Sequence, residues 1–161
     1  DELTAHFQDN TRLFYLESPG SLTFEMEDIP ALTTCAHDHQ CLVAIDNTWA
    51  TAMYFDAVKH DMDIVIEAGT KYISGHSDVS MGFVISSGNT AHTIRQYVQN
   101  TGICVAPDEH YLAMRGMRTM ALRLRQSEEN GLALATWLEQ QPEVIQMLHP
   151  ALPSHPGHHH W

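Results

Sequence analysis

The sequence predicts an α/β protein built on a mostly parallel β-sheet with flanking helices. Short apolar runs of strand length occur at residues 13–16, 41–45, 64–66 and 81–85, and turn residues or helical spacing separate them. Parallel strands need long crossover connections, which helices usually supply. The 161 residues suffice for one domain by length, and a hydrophobic fraction of 43% is ordinary for a globular protein.

The first part of the chain predicts a strand, a turn and a short helix. Residues 13–16 form an apolar run, and a turn sequence at 17–20 follows it. A helix is predicted over 29–39, with Asp28 as its N-cap and Pro30 in its first turn, where a missing N–H is tolerated. This helix would return the chain to the sheet.

Two buried strands are predicted next, at 41–45 and at 64–66. Asp46 follows the first strand directly, and Gly69 ends the second. Between them, residues 54–59 show helical spacing, which predicts the right-handed crossover expected between parallel strands.

A further strand is predicted at 81–85 with a turn at 86–89. A helix over 91–99 follows, with Thr90 or Asn89 as its cap and Gly102 as its stop.

A long helical segment is predicted from 108 to 141, with a break or kink near Gly116. A methionine-rich apolar stripe at helical intervals usually belongs to a core, so we expect its side chains to be buried. The stripe includes Met120, Leu124, Leu132 and Leu138. The run 144–148 predicts a last short strand.

Charge and composition exclude several functions. The net charge is −12 with only eight lysines and arginines, which disfavours nucleic acid and anionic lipid as partners. No apolar run is long enough to span a bilayer, and residues 1–6 are acidic and polar rather than a secretory signal, so we expect no membrane partner. The three cysteines, Cys35, Cys41 and Cys104, lack metal-ligand spacing and favour a reducing, cytoplasmic location.

Twelve histidines include two clusters, at 37–39 and 155–160. Either cluster offers imidazole groups to a divalent metal. Adjacent histidines cannot all converge on one ion, so we predict no metal site.

The candidate chemistry lies at the ends of the two central strands. Lys71 stands among small and hydroxylic residues just past the 64–66 strand, where open α/β sheets hold their ligands. A partly desolvated lysine there loses proton affinity and becomes a nucleophile toward a carbonyl, and an aldehyde cofactor is its natural partner. The alternative is a solvated surface lysine beside a glycine turn.

Asp46 would face the same crevice from the neighbouring strand. Pyridoxal phosphate needs such a pair, because a lysine forms the Schiff base while an acid keeps the pyridine nitrogen protonated. The sequence therefore predicts pyridoxal 5′-phosphate as the cofactor.

Several segments resemble the pyridoxal-phosphate-dependent Cys/Met metabolism family, and within it most of all the bacterial cystathionine β-lyase branch. The resemblance runs essentially end to end. It is carried by residues 45–51, 68–72 and 75–78, and by 16–21, 115–119 and 149–153.

The resemblance also implies residue roles. Lys71 would form the Schiff base and act as general base, Asp46 would pair with the pyridine nitrogen, and Thr70 would donate to the phosphate. Ser21 stands where relatives outside the β-lyase branch commonly have an asparagine that contacts the phenolic oxygen. Asn47 and Thr48 would shape the pocket near the ring. Ala68 replaces a serine that supplies a phosphate contact in many relatives.

The implied reaction is α,β-elimination of L-cystathionine, or a related thioether amino acid, to homocysteine, pyruvate and ammonia. The alternatives are a γ-synthase, a γ-lyase or a methionine γ-lyase of the same family. A catalytically silent fragment that retains the fold is the alternative from another class.

The resemblance implies an aspartate aminotransferase-like large domain of fold-type I, truncated at both ends. Residues 1–148 would be the central and C-terminal part of this cofactor-binding domain, and 149–161 would begin a mostly absent small domain. Full-length relatives of this kind are homotetramers. We expect exposed apolar surface where the missing domain would lie.

Overall fold

The computed structural model describes residues 3–161, and a four-stranded β-sheet forms its centre; the first two residues of the acidic N-terminus lie outside the described range. The strands are β1 (Leu13–Glu17), β2 (Leu42–Asp46), β3 (Ile64–Glu67) and β4 (Phe83–Ser86). They lie side by side in that order. The first three strands are parallel and β4 is antiparallel to β3, which confirms the predicted α/β fold with a mostly parallel sheet.

Helices occupy most of the remaining chain. The α-helices are α1 (Ile29–Asp38), α2 (Thr51–Tyr54), α3 (Gly88–Thr101) and α4 (Pro107–Glu139). Short 3₁₀ turns lie at Leu3–His6, Ala57–His60 and His158–His160.

The hydrophobic core lies between α1 and one face of the three parallel strands. Leu16, Ile45 and Val65 are register partners across β1, β2 and β3, and all three are buried. Alternation along β2 brings Val43 to the same face, where its side chain is fully buried, and α1 contributes Ala36. Fully burying one such aliphatic side chain stabilises the fold by about 1.5–3 kcal/mol.

Helix α1 begins as the sequence predicts. The Asp28 side chain accepts a hydrogen bond from the Ala31 N–H at 3.1 Å, and Pro30 lies in the first turn. The cap satisfies one of the N–H groups that a helix start leaves without a partner.

The crossover between β2 and β3 differs from the predicted helix over 54–59. It consists of α2 followed by a 3₁₀ turn, and Phe55 between them has an extended backbone. The Phe55 carbonyl accepts hydrogen bonds from Asn47 Nδ2 and from the Ala57 N–H, both at 3.0 Å. These bonds draw the chain out of the helical path at Phe55.

Strand β4 and helix α3 are present, but α3 starts earlier than predicted. The helix begins directly after β4 with Ser87 as N-cap, so the cap predicted at Thr90 or Asn89 is wrong. Gly88 has φ +55°, a conformation that glycine adopts easily, and this allows the immediate turn. Gly102 ends the helix in the left-handed conformation, which confirms the predicted stop.

Helix α4 runs without interruption for 33 residues, so the predicted break near Gly116 is wrong. Gly116 is instead a point of close packing. A Cβ atom at this position would lie 2.2 Å from the Ser74 carbonyl oxygen and 2.3 Å from that of Ile73. The glycine lets another segment approach the helix backbone.

The prediction that the apolar stripe of α4 is core is only partly confirmed. Leu124 is buried and Met120 and Leu138 are half-buried, but Leu132 is 38% exposed. Other residues of α4, such as Ala113 and Ala135, are buried instead.

The strand predicted at 144–148 is wrong. This segment is irregular, and the Ile145 side chain is fully exposed. An apolar run forms a strand only where a sheet edge pairs with it, and the segment pairs with none of the four strands. In residues 3–161 no helix combines the length and the hydropathy needed to cross a membrane.

Candidate functional site

The candidate site lies at the carboxyl edge of the parallel strands. Asp46 of β2 and Ile66 of β3 are register partners, and the Asn47 N–H donates to the Ile66 carbonyl oxygen at 2.8 Å. The chain leaves both strands at this edge. Asp46 and the turn that carries Lys71 therefore follow neighbouring strand ends, as the sequence predicts.

A hydrogen bond to one carboxylate oxygen of Asp46 holds this side chain in place. Asp46 Oδ1 accepts from the Thr48 N–H at 2.9 Å, and Glu17 of β1 is its register partner. Register and strand alternation place Tyr15, Glu17 and Asp46 on one face of the sheet, and burial together with the two negative charges raises the pKa of Tyr15. Within residues 3–161 no hydrogen bond engages Asp46 Oδ2.

Lys71 lies in a compact turn of backbone after β3. The Lys71 N–H donates to the Ala68 carbonyl oxygen at 3.0 Å, and the Gly75 N–H donates to the Lys71 carbonyl oxygen at 2.8 Å. We call residues 69–75 the lysine turn. The Lys71 side chain is exposed, which corrects the expectation of partial desolvation, because the described residues close no crevice over it.

No hydrogen bond or ion pair joins Lys71 to Asp46 in the part of the chain that the structure describes. The amine therefore remains available to a further group.

Thr70 and Ser21 both make polar contacts at this edge. Thr70 Oγ1 accepts from the Met81 N–H at 3.0 Å and lies 3.2 Å from the Met81 carbonyl oxygen, to which it donates. Ser21 Oγ donates to Glu17 Oε1 at 2.5 Å. Thr70 thus connects the lysine turn to the segment before β4. Ser21 binds Glu17, which is the β1 register partner of Asp46.

Asn47 and Thr48 are buried, and both bind backbone groups. Asn47 Nδ2 donates to the Phe55 carbonyl oxygen, and Thr48 Oγ1 accepts from the Ala68 N–H at 2.7 Å. The second bond connects the segment after β2 with the segment after β3. Thr48 thus fixes the end of β2, which carries Asp46, relative to the segment that leads to Lys71.

Sequence reasoning missed Glu67, the last residue of β3. The residue is 6% exposed, and burial raises the pKa of its carboxyl group, as does the nearby Asp46. Within residues 3–161, Glu67 Oε1 and Asn47 Oδ1 are buried without a hydrogen-bond partner. Strand alternation was the available signal, since Glu67 follows Val65 by two residues and must face the same buried side.

The structure also contains a cavity that the sequence did not indicate. Its volume is about 620 Å³, and its walls come from the sheet, α2, α4 and the C-terminal segment. Its apolar walls include Ile45, Trp49, Phe55, Leu124 and Trp161. Tyr72 lines it, but none of the six predicted site residues does.

The histidines bind other groups of the chain. His37 Nε2 lies 2.9 Å from Asp63 Oδ2, and His155 Nδ1 accepts from the Gly157 N–H at 3.1 Å. Among the described residues no group of three or more histidine, cysteine or acidic side chains forms a cluster suited to a metal.

Comparison with solved structures defines the class of protein. A cystathionine gamma-lyase from Lactobacillus plantarum, solved in complex with L-serine, superposes with a TM-score of 0.92 at 32% identity. The match covers 98% of this chain and 42% of that one. The fold is therefore that of the large domain of pyridoxal-phosphate-dependent enzymes, as expected.

Sequence comparisons define the family. The family model described as Cys/Met metabolism PLP-dependent enzyme matches residues 1–161, and the chain belongs to this family. A Rhizobium johnstonii relative is 52% identical over 157 residues, which are 96% of this chain and 39% of that relative. The cystathionine beta-lyase of Haemophilus influenzae is 41% identical over 98% of this chain and 40% of its own length. The chain thus spans about 40% of the length of these relatives.

The family's cofactor is pyridoxal 5′-phosphate. It needs an amine for its aldehyde, an acid for its ring nitrogen and a donor for its phosphate, and the residues meet the first two needs as they stand. The exposed amine of Lys71 suits the aldehyde, and Asp46 Oδ2 is available for the ring nitrogen. Thr70 could donate to the phosphate only by giving up its bond to the Met81 carbonyl oxygen.

Proposed function

We propose that this chain is the cofactor-holding part of a carbon–sulfur lyase of the cystathionine β-lyase type. The reaction is α,β-elimination of L-cystathionine to homocysteine, pyruvate and ammonia. The supporting observation is that a lysine and an aspartate follow adjacent parallel strands in a chain 41% identical to a cystathionine beta-lyase.

The chemistry requires an electron acceptor and a group that moves a proton. When bound, pyridoxal phosphate supplies a conjugated ring that accepts the electron pair left at the substrate Cα. Lys71 Nζ would hold the aldehyde until the substrate amine displaces it, and the freed amine would then remove the Cα proton as general base and pass a proton to the departing sulfur. Asp46 keeps the ring nitrogen protonated, and the Thr48 N–H orients its carboxylate.

The proposal includes the organisation and location of the chain. Residues 1–148 belong to the cofactor-binding large domain, and 149–161 begin the small domain. The substrate is a small thioether amino acid, and the location is cytoplasmic.

Two alternatives have specific support. The match to a cystathionine gamma-lyase structure favours γ-elimination, which would yield 2-oxobutyrate rather than pyruvate. The exposure of Lys71 favours a silent fragment, because an exposed amine lacks the water-excluding surroundings that assist catalysis.

The sequence contains only two lysines, Lys59 and Lys71, which allows a clean test. Mixing the chain with pyridoxal phosphate, reducing it with borohydride and mapping peptides by mass spectrometry should place the added group on Lys71. Lys71→Ala should abolish this label. Lys59→Ala removes an exposed lysine paired with Asp56 at 2.8 Å, and it should retain the label.

Product assays on the same samples separate the alternatives. Pyruvate from cystathionine supports the β-lyase, and 2-oxobutyrate supports the γ-lyase. Labelling of Lys71 without either product supports the silent fragment. Equal labelling of both lysines would refute the site assignment.

A further inference from the structure

The motif at residues 115–119 lies on α4 and has no part in the proposed function. One of its residues, Gly116, contacts the lysine turn, as does Arg123 further along the helix, and Thr119 between them binds both. Gly116, Thr119 and Arg123 follow one another at intervals of three and four residues, so they share one face of the helix.

Gly116 brings the helix backbone directly against the lysine turn. The Ile73 and Ser74 carbonyl oxygens lie where a Cβ of residue 116 would stand. Ile73 and Ser74 are themselves buried. Any larger residue at 116 would push the turn away from α4.

Arg123 binds the same turn through its guanidinium group. Arg123 Nη2 donates to the Tyr72 carbonyl oxygen at 2.8 Å and to that of Gly116 at 2.9 Å. Arg123 Nε donates to Thr119 Oγ1 at 3.1 Å, which orients the group. One side chain therefore connects the residue after Lys71 with the helix.

The turn is shaped to receive this side chain. Gly75 has φ +68°, and a Cβ at this position would lie 2.1 Å from Arg123 Nη1. Arg115 Nη2 contacts Asp78 Oδ2 at 3.3 Å just beyond the turn. Contacts from α4 thus reach the lysine turn and the segment that follows it.

We propose that Gly116, Thr119 and Arg123 form a clamp that fixes the lysine turn, and that Arg123 is a positioning residue for the Lys71 amine. The inference rests on the proposed function of Lys71. The described residues leave the Lys71 side chain exposed, so its backbone is the part that the chain can hold still. A reactive amine held by its backbone meets an aldehyde with less loss of freedom.

A guanidinium suits this role better than an ammonium. It offers five N–H donors in a planar arrangement, so one group can serve two carbonyl oxygens and a hydroxyl together. Arg123→Lys should therefore restore only part of the effect that Arg123→Met removes. Arg118→Met is the matched control, since Arg118 belongs to the motif and is exposed.

The test compares the two lysines within one molecule. With limiting pyridoxal phosphate and borohydride, Arg123→Met should lower the ratio of label on Lys71 to label on Lys59 roughly tenfold or more. Hydrogen exchange without cofactor should speed up about tenfold for amides 72–75. Arg118→Met should match the wild type in both readouts.

The outcomes separate this proposal from the proposed function. If wild-type Lys71 takes no label, the proposed function fails. Hydrogen exchange of the amides in the lysine turn then decides by itself whether the clamp exists. If Arg123→Met lowers the melting temperature but leaves the label ratio and the exchange of the turn unchanged, Arg123 is only structural and the clamp is refuted. If Arg123→Met does not fold, Thr119→Val replaces it as the test variant, because it removes only the hydroxyl that orients the guanidinium. The label ratio and the exchange of the turn are then measured in the same way.

Discussion

At the scale of single residues, Glu67 is the unusual group of this site. It ends β3 in a buried position, and its charged form would lie near the carboxylate of Asp46. The Ala52 N–H and the Asn47 amide favour the charged form, but burial outweighs them and the pKa of Glu67 is raised. A protonated Glu67 could donate to Asn47 Oδ1, which would satisfy the buried amide oxygen.

The raised pKa of Glu67 predicts a pH dependence of stability. Above pH 4.5 the unfolded chain loses the Glu67 proton while the folded chain keeps it, so the free energy of unfolding falls as pH rises through this window. Each unit of pKa difference contributes about 1.4 kcal/mol. Glu67→Gln should remove this fall, as measured by urea unfolding at a series of pH values.

The control for this prediction is Glu143→Gln, which neutralises an exposed carboxylate. It should follow the wild-type curve. If the Glu67→Gln curve ran parallel to wild type from pH 4.5 upward, Glu67 would not titrate as proposed.

The sequence predicted where the two candidate residues lie but not their surroundings. Lys71 and Asp46 follow recognisable strands, so their placement at one sheet edge followed from the rules for parallel strands. The exposure of Lys71 and the bond between Thr48 and Ala68 depend on which distant segments pack nearby. No local pattern records such contacts.

At the scale of elements, the Asp28 cap sets the start of α1. Asp28→Ala should lower the free energy of unfolding by about 1 kcal/mol, because the Ala31 N–H loses its side-chain acceptor. Thermal or urea unfolding followed by circular dichroism measures the change. Asp28→Asn keeps an acceptor oxygen and should stay within a few tenths of a kcal/mol of wild type. Equal losses in the two variants would contradict the capping role.

Element positions were predicted where local chemistry decides them. The strands β1, β2 and β3 and the end of α3 at Gly102 came from apolar runs and a glycine stop. The extended Phe55 and the close packing at Gly116 depend on the partners Asn47 and Ser74, which lie elsewhere in the chain. A glycine within a helix looks the same in sequence whether it kinks the helix or admits a neighbour.

At the scale of the whole molecule, apolar surface is exposed along α4. Tyr111, Met114 and Leu122 recur at helical spacing, and each is more than half exposed. The expectation of apolar surface facing a missing domain stays a prediction, because nothing in the described part of the chain shows which segment would cover this helix. Exposed apolar side chains that share one helix face favour association.

Self-association of the chain should therefore rise with concentration. Sedimentation velocity should show larger species at higher protein concentration, and Met114→Gln combined with Leu122→Gln should weaken association about tenfold or more. Leu22→Gln is the control, since Leu22 is even more exposed but lies in the loop before α1. A monomer at every concentration would contradict this prediction.

Helix α4 also contacts three separate parts of the chain, so its length sets the distance between these contacts. Gly116 meets Ser74, Glu128 accepts from the Tyr54 hydroxyl at 2.7 Å, and Glu139 accepts from the Ser154 hydroxyl. The twelve residues from Gly116 to Glu128 correspond to about 18 Å of helix. Deleting one of them would turn Glu128 by about 100° relative to Gly116. A substitution at an exposed position of this stretch keeps that distance and angle, whereas a deletion changes both.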